Sequence, residues 1–252
     1  DSFVEKVLIP EYTRGTSRAP NPDYQEVEKL LARARRRGDR PTVRALRKQH
    51  PGAPVVTYVN TSADVKAESD ICCTSANAVQ VVESLGVDEV IFIPDKFLGQ
   101  YVASKTGVRL ILWEGACEVH ERFSGLELRD FRGMHPGIHV MAHPECPPDV
   151  LAEADFVGST SAMIEHVGKV HPRQVAMITE CAMAGNVAVE FPDVEFIQPC
   201  NLCPHMQRIT LPKILQSLET MSPAIDVPTD VARRARATLE RMLAVGRGAA
   251  RD

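Results

Sequence analysis

The sequence predicts an α/β protein made of repeated three-layer α/β/α domains with parallel sheets. Short runs rich in valine and isoleucine alternate with stretches of helical periodicity, and strands in that alternation form parallel sheets with helices on both faces. Residues at equivalent strand ends also recur at a nearly constant spacing, which indicates internal duplication of one α/β unit. Tyr58 and His143 are 85 residues apart, Ser75 and Ser159 are 84 apart, Asp95 and Glu180 are 85 apart, and Cys117 and Cys203 are 86 apart.

The composition is that of an ordinary globular protein of 252 residues, with 44% apolar residues and a net charge of −4. The slightly acidic charge argues against nonspecific binding to nucleic acid. No apolar run approaches the roughly 20 residues that a membrane-spanning helix needs. Seven cysteines, an odd number, follow no secretory signal, so the sequence predicts reduced thiols in a cytoplasmic protein rather than a disulfide framework.

Residues 1–52 are predicted to be a remnant of a first domain followed by an inserted helical segment. The strand Phe3–Ile9 and the loop up to Thr16 match the last strand and the cysteine loop of a unit whose earlier part is absent. In that alignment Thr16 stands where Cys117 and Cys203 stand. Five arginines lie in Arg33–Arg40, at the basic end of the first predicted helix, and are interpreted as cations at a helix C-terminus and on a solvated face, with a phosphate-binding patch as the alternative.

The remaining chain is predicted to form two complete domains, at 53–137 and 138–252. Strands are expected where β-branched runs occur, and helices where apolar residues recur at i, i+3, i+4 and i+7. The predicted strands are Val55–Val59, Val90–Ile93, Arg109–Leu112, His139–Ala142, Val175–Ile178 and Val194–Ile197. The predicted helices are Asp23–Arg37, Pro41–His50, Asn77–Leu85, Leu98–Thr106, Pro148–Glu153, Ala162–Val167 and Asp230–Val245, with short helical starts at Asp64 and near Leu211.

Two loops that follow apolar strands contain cysteines. Cys117 lies in the first, and Cys200 and Cys203 lie in the second at C-x-x-C spacing between prolines. Thiolates on separate strand-end loops are suited to a soft metal, either an iron–sulfur cluster or zinc. The alternative is that these cysteines are small buried apolar residues, and the spacing alone does not decide between the two interpretations.

Other polar side chains follow the predicted strands, where parallel α/β sheets collect ligands. His143-Pro144-Glu145 offers an acid/base pair that proline holds in place, and His120 could serve as a second proton carrier beside a metal. The loops before two helices carry hydroxyls that either bind phosphate or carboxylate or act as ordinary N-caps. The strand-end candidates are Tyr58, Asn60, Ser75, Asn77, His120, His143, Glu145, Ser159, Thr160 and Glu180.

Several short motifs occur in order along the chain. They are Tyr58-Val59-Asn60-Thr61-Ser62, Cys72-Cys73-Thr74-Ser75-Ala76-Asn77, Ile93-Pro94-Asp95-Lys96, Met141-Ala142-His143-Pro144-Glu145-Cys146 and Gly158-Ser159-Thr160-Ser161, with the two cysteine loops. Together these motifs resemble quinolinate synthase, the iron–sulfur enzyme of de novo NAD biosynthesis. The resemblance is continuous from about Pro51 to Leu218, weaker from Val7 to Ser17, and absent from Arg18 to about Arg40.

The resemblance implies three homologous domains in pseudo-threefold arrangement, of which this chain has two complete repeats and the remnant of a first. It implies a central [4Fe-4S] cluster that acts as a Lewis acid while iminoaspartate condenses with dihydroxyacetone phosphate to quinolinate, and functional coupling to L-aspartate oxidase. By this resemblance Cys117 and Cys203 bind the cluster, and Cys200 does not. Catalytic roles fall to Tyr58, His120, His143 and Glu145, and substrate contacts to Tyr58, Asn60, Ser75, His143, Glu145, Ser159 and Thr160.

Two departures from the family pattern bear on activity. The first domain is missing apart from its closing strand, and Thr16 occupies the position of the first cluster cysteine. A neutral hydroxyl is a poor iron–sulfur ligand, so the sequence predicts weak cluster binding. The alternatives are a non-catalytic remnant that binds a small dicarboxylate without an intact cluster, and a divergent paralogue with zinc or an altered cluster.

Overall fold

The computed structural model of this protein describes residues 40–197 and 199–248, and side chains as far as 245. The chain divides into two compact units, Asp1–Ala34 and Arg35–Asp252, and every described residue belongs to the second. The predicted strand Phe3–Ile9, the predicted helix Asp23–Arg37 and the position of Thr16 therefore lie outside the described residues.

The first half of the described chain forms a four-stranded parallel sheet with the order β2-β1-β3-β4. The strands are β1 (Val55–Tyr58), β2 (Ile71–Cys73), β3 (Glu89–Ile93) and β4 (Arg109–Leu112). The helices in this half are α1 (Arg40–Gln49), α2 (Ala63–Ala67), α3 (Ala78–Ser84) and α4 (Lys96–Lys105).

The second half repeats this topology in a separate parallel sheet with the order β6-β5-β7-β8. Its strands are β5 (His139–Ala142), β6 (Phe156–Val157), β7 (Gln174–Ile178) and β8 (Glu195–Phe196). The helices are α5 (Gly125–Met134), α6 (Pro148–Ala152), α7 (Thr160–Val170), α8 (Cys181–Glu190), α9 (Leu211–Thr220) and α10 (Thr229–Gly248). The predicted class, α/β with repeated parallel sheets covered by helices, is confirmed.

The strands are apolar on both faces because helices cover both sides of each sheet. In the first sheet, Val55 and Ile91 pack into the core on one face, while Val56 and Phe92 pack into the core on the other. The second sheet shows the same division, with one core that contains Val140 and Ala142 and another that contains Met141 and Met177. A strand that is buried on both faces needs apolar residues at successive positions, and these strands have them.

A pair of equivalent ion pairs supports the internal repeat at the level of side chains. Asp70 accepts a hydrogen bond from the Val55 amide at 2.7 Å and pairs with Arg47. Asp155 accepts a hydrogen bond from the Val140 amide at 2.8 Å and pairs with Arg132 at 3.0 Å. In both units an aspartate before the second strand thereby joins the start of the first strand to an arginine on the leading helix.

Helices α5 and α8 have no counterpart among the predicted elements. In α5 the apolar residues are interrupted by glycine and charge, and periodicity is weak. Its Leu128 and Phe131 nevertheless pack into the core of the second sheet, and the Gly125 amide donates a hydrogen bond to Asp149 at 2.9 Å. Tertiary packing therefore stabilises a helix whose local sequence signals are poor.

The C-terminal helix α10 packs against the first sheet, although the predicted bounds place it in the last domain. Leu239 and Met242 enter the core beside β2, and the Thr238 hydroxyl lies 3.1 Å from the Cys72 sulfur. Arg234 donates a hydrogen bond to the Ala67 carbonyl at 2.7 Å. The domain bounds 1–52, 53–137 and 138–252 stay a prediction.

The expectation that all cysteines are reduced is wrong for one pair, because the structure contains a disulfide between Cys181 and Cys200. The two cysteines are 19 residues apart, so the sequence alone does not predict their pairing. The disulfide joins the start of α8 to the second cysteine loop. The other described cysteines are free thiols, and only Cys117 and Cys203 among them are partly exposed. Within the described part of the chain, the helices are too short or too polar to cross a bilayer.

Candidate functional site

Side chains from the ends of strands in both sheets meet in one buried cluster. The Ser75 hydroxyl, which follows β2, lies 3.1 Å from Nε2 of His143, which follows β5. The Tyr58 phenol, at the end of β1, lies near Ser75 and Glu145, which both influence its pKa. Because carboxyl ends of parallel strands lie on one edge of a sheet, these contacts join the same edge of the two units.

The centre of the cluster consists of two stacked imidazoles and one carboxylate. The rings of His120 and His143 stack with centroids 4.6 Å apart and planes inclined by 17°. Glu145 Oε2 lies 3.1 Å from His120 Nδ1 and 3.8 Å from His143 Nδ1. Exposure is only 7% for His120, 5% for His143 and 7% for Glu145, so water screens these contacts weakly.

His120 is held as a cation. Burial by itself lowers the pKa of its imidazole, but hydrogen bonds and charge from Cys117 and Glu145 outweigh burial and raise that pKa to about 10. The second ring nitrogen, Nε2, lies 3.0 Å from the buried hydroxyl of Thr179. For Glu145, burial opposes ionisation, yet the neighbouring His120 and His143 lower the carboxyl pKa below its ordinary value.

His143 is held neutral beside that cation. Burial, and then the charge of His120, lower the pKa of His143 to about 4 against the opposing effect of Glu145. The Glu145 amide donates a long hydrogen bond to His143 Nδ1 at 3.4 Å, which places the imidazole proton on Nε2, facing Ser75. Burial and the Glu145 charge raise the pKa of Tyr58, so its phenol stays protonated.

An NMR titration of His143 checks this charge distribution. We expect its imidazole to titrate with a midpoint near pH 4, below the ordinary value of 6.5. Because the folded state disfavours the charged ring, acidification from pH 6.5 to 4 should reduce stability, and the contribution of His143 should be constant above pH 6.5. Imidazole resonances assigned with a His143→Gln variant give the midpoint. A midpoint at or above 6.5 would contradict the proposed environment.

The donor atoms next to this cluster fit a metal. Ligand atoms of Cys117, His120 and Glu145 all lie within 4.8 Å of one another, and transition metals accept a thiolate with imidazole and carboxylate once the imidazole has lost the proton on its ligating nitrogen. Cys117 is half-buried. The residues present therefore fit a thiolate-bound metal group at the edge of the cluster.

The two cysteine loops contact each other. His205 Nε2 lies 2.8 Å from a carboxylate oxygen of Glu118, and the Asn201 side chain donates a hydrogen bond to the Val119 carbonyl at 3.2 Å. Residues within two positions of Cys117 are thus joined to residues within two positions of Cys203. This contact favours the predicted convergence of the two sulfurs, which itself stays a prediction.

Three predicted substrate residues lie further from the described contacts of this cluster. Asn60 is exposed in the loop after β1, and Thr160 is exposed at the start of α7. Ser159 is buried and its hydroxyl accepts a hydrogen bond from the Ala162 amide at 3.3 Å, as an N-cap does. Their substrate roles stay predictions.

Thr179 was missed by sequence reasoning. Its position directly after β7, one residue before Glu180, is the one signal that could have marked it. A threonine at a strand end is common, and its contact with His120 spans 59 residues of sequence.

The fold and this site define a repeated α/β protein with a candidate metal centre at the strand ends. The family model described as quinolinate synthetase A protein matches residues 5–244. The chain belongs to this family, as the sequence motifs predicted.

Curated relatives agree with the family match. The chain is 52% identical to quinolinate synthase 2 of Mesorhizobium japonicum over 95% of this chain and 69% of that protein. It is 51% identical to quinolinate synthase of Agrobacterium fabrum over 95% of this chain and 65% of the relative. It is 56% identical to quinolinate synthase of Xylella fastidiosa strain Temecula1 over 81% of this chain and 60% of the relative. The chain thus spans about two thirds of the length of these relatives.

Proposed function

We propose that this chain is the part of a quinolinate synthase that carries most of its active site. The reaction is the condensation of iminoaspartate with dihydroxyacetone phosphate to quinolinate, with loss of water and phosphate, in the cytoplasm and in functional coupling to L-aspartate oxidase. The observation that carries the proposal is the cluster of Tyr58, Ser75, His120, His143 and Glu145 beside the thiol of Cys117.

Cys117 and Cys203 would hold a [4Fe-4S] cluster, which supplies a Lewis-acidic iron when it is bound. The sulfur of Cys117 lies near donor atoms of His120 and Glu145, which supports this assignment. The donor atom at position 16 would complete the ligand set and lies outside the described residues.

The buried residues divide proton transfer between two imidazoles. Neutral His143 has a proton on Nε2 to share with Ser75, and an unprotonated Nδ1 that accepts from the Glu145 amide. Cationic His120 has a proton on each ring nitrogen, with Nδ1 3.1 Å from Glu145 Oε2 and Nε2 3.0 Å from the Thr179 hydroxyl. At neutral pH one ring therefore has a free nitrogen to accept a proton and the other carries a proton to donate, and bound substrate would have to bring their pKa values of about 4 and about 10 closer to neutrality for efficient transfer.

The substrate carboxylates would bind beside this cluster, at the loops that begin α3 and α7. Ser75 lies before the first helix, and Ser159 and Thr160 begin the second. Hydroxyls and free amides at helix starts stabilise anions. The phenol of Tyr58, protonated because of its burial, would donate a further hydrogen bond, and Asn60 would contact the substrate from the loop after β1.

The length of the relatives and the exposed face of α9 support a pseudo-threefold arrangement in the whole enzyme. A 3-10 turn at His120–Arg122 precedes α5, and an equivalent turn at Met206–Arg208 precedes α9, with every boundary displaced by 86 residues. Helix α5 packs on the sheet that follows it, whereas Leu211 and Leu218 of α9 are 81% and 69% exposed. Helix α9 would accordingly pack on the sheet of a third unit.

Calorimetry with quinolinate tests the substrate assignment. The Ser159→Ala, Thr160→Ala double variant should bind quinolinate at least about 100-fold more weakly than the unmodified chain, because it lacks two hydrogen bonds to a charged group and each is typically worth about 1.5–3 kcal/mol. Ser161→Ala, an exposed hydroxyl one residue further along α7, is the matched control and should leave the affinity unchanged. Equal affinity of the double variant, or no binding by the unmodified chain, would refute the proposal.

A further inference from the structure

Asp95 joins the first cysteine loop to the helix that follows β3. One carboxylate oxygen accepts a hydrogen bond from the Leu98 amide at 2.7 Å, and the other accepts one from the Cys117 amide at 2.8 Å. The Lys96 amide donates to the Gly115 carbonyl at 2.8 Å in the same place. Asp95 is only 5% exposed, so both hydrogen bonds are shielded from water.

Glu180 makes the equivalent pair of contacts in the second unit. Its Oε2 accepts a hydrogen bond from the Ala182 amide at 2.7 Å at the start of α8, and its Oε1 accepts one from the Cys203 amide at 3.2 Å. The Cys181 amide donates to the Asn201 carbonyl at 3.2 Å, as Lys96 does to Gly115. The two cysteine loops are thus held by the same device in both repeats.

A carboxylate is needed for this double contact. A hydroxyl N-cap such as Ser62 has one oxygen close to the backbone and accepts from one amide, that of Val65 at 3.3 Å. Asp95 and Glu180 each have two oxygens on a longer side chain, so that each caps a helix and reaches a second loop. Plain N-capping therefore does not account for the choice of acidic residues at both positions.

We propose that Asp95 and Glu180 are positioning residues that fix the backbone of Cys117 and Cys203 and so present the two sulfurs to a shared metal group. The metal group belongs to the proposed function, but the two carboxylate contacts do not depend on it. Loss of either carboxylate loosens its own cysteine loop and leaves the other loop in place, since each carboxylate contacts one loop.

Site-specific alkylation tests the proposal. The protein is used free of metal and with the Cys181–Cys200 disulfide intact. Asp95→Ser keeps a helix cap but is too short to reach the Cys117 amide, and Glu180→Ser does the same for Cys203. We expect Asp95→Ser to raise the rate of Cys117 alkylation by iodoacetamide about tenfold, which corresponds to about 1.4 kcal/mol, with the Cys203 rate unchanged. Glu180→Ser should have the opposite selectivity. Peptide mass spectrometry separates the two thiols.

A control variant distinguishes the loss of loop positioning from a general loosening of the fold. Ser62→Ala removes a helix cap that has no described contact with a cysteine loop, and should change neither rate. Unchanged rates in both serine variants, or rates that rise equally at Cys117 and Cys203, would overturn the proposal. Since alkylation needs neither cluster nor substrate, a chain that binds no quinolinate yet shows this selectivity would refute the proposed function and retain the positioning role.

Discussion

Replacing Glu145 by glutamine is expected to lower the free energy of unfolding by about 3–5 kcal/mol at neutral pH, the cost of removing one partner from a buried charge pair. The carboxylate lies 3.1 Å from His120, and both residues are 7% exposed. In the variant the His120 imidazolium would stay buried without the negative charge of Glu145. For a domain of this size the melting temperature should fall by roughly 10 °C. Thermal unfolding followed by circular dichroism measures the change.

The stability that Glu145→Gln loses should depend on pH in a predictable direction. The pKa of Glu145 lies below its ordinary value of 4.5 in the folded state, so its contribution is present above pH 4.5 and disappears as the pH falls through the lowered pKa. The pKa of His120 is raised from 6.5 to about 10, so its contribution is complete below pH 6.5 and disappears as the pH rises through 10. The difference between variant and unmodified chain should be greatest between pH 4.5 and 6.5.

A matched surface variant isolates the effect of burial. Glu165 pairs with Lys169 at 3.8 Å, with both side chains at least 70% exposed, and Glu165→Gln should change stability by less than about 0.5 kcal/mol. The His120→Gln, Glu145→Gln double variant should be less destabilised than the sum of the single variants, because both charges are then absent. A melting temperature of Glu145→Gln equal to that of Glu165→Gln would contradict the buried ion pair.

The second large effect concerns cluster binding. We expect the unmodified chain, reconstituted anaerobically, to retain little iron and sulfide, because Thr16 occupies the position that the internal repeat predicts to be equivalent to Cys117 and Cys203. Thr16→Cys should increase the retained cluster at least about tenfold, since even the partners of metal ligands are typically worth about 10- to 100-fold in affinity. Iron and sulfide analysis with Mössbauer spectroscopy gives the cluster content.

Further substitutions in the Thr16→Cys chain identify the remaining ligands. Cys117→Ser or Cys203→Ser should remove nearly all of the added cluster, whereas the Cys181→Ser, Cys200→Ser double variant, which lacks the disulfide, should keep it. A full and stable [4Fe-4S] complement in the unmodified chain would show that Thr16 has been assigned the wrong role. Retention of the cluster in Cys203→Ser would show the same for Cys203.

The sequence by itself determined the α/β class, the repeat and most element positions. The strand runs around Val55, Val90, His139 and Val175 are buried on two faces, and this leaves a continuous apolar pattern in the sequence. The repeat is visible because strand ends carry polar residues at a spacing of 84 to 86. Local patterns of this kind need no knowledge of the partner that each segment contacts.

The sequence also singled out Tyr58, Ser75, His120, His143, Glu145 and Cys117, which the structure brings into one neighbourhood. Parallel topology explains why these side chains lie close together, since it places strand ends on one edge of each sheet. It does not specify which of those side chains touch. The protonation of the two histidines follows from their stacking and from the distances to Glu145.

Only the tertiary structure decided the remaining features. The contact of Thr179 with His120, the disulfide of Cys181 with Cys200 and the packing of α10 on the first sheet each join segments distant in sequence. Asp95 and Glu180 each make a second hydrogen bond to a cysteine loop that is distant in sequence. Neighbouring residues predict a helix cap, but they do not predict this second contact. Local sequence patterns encode helices and strands, whereas pairings between them depend on how the two sheets pack together in space.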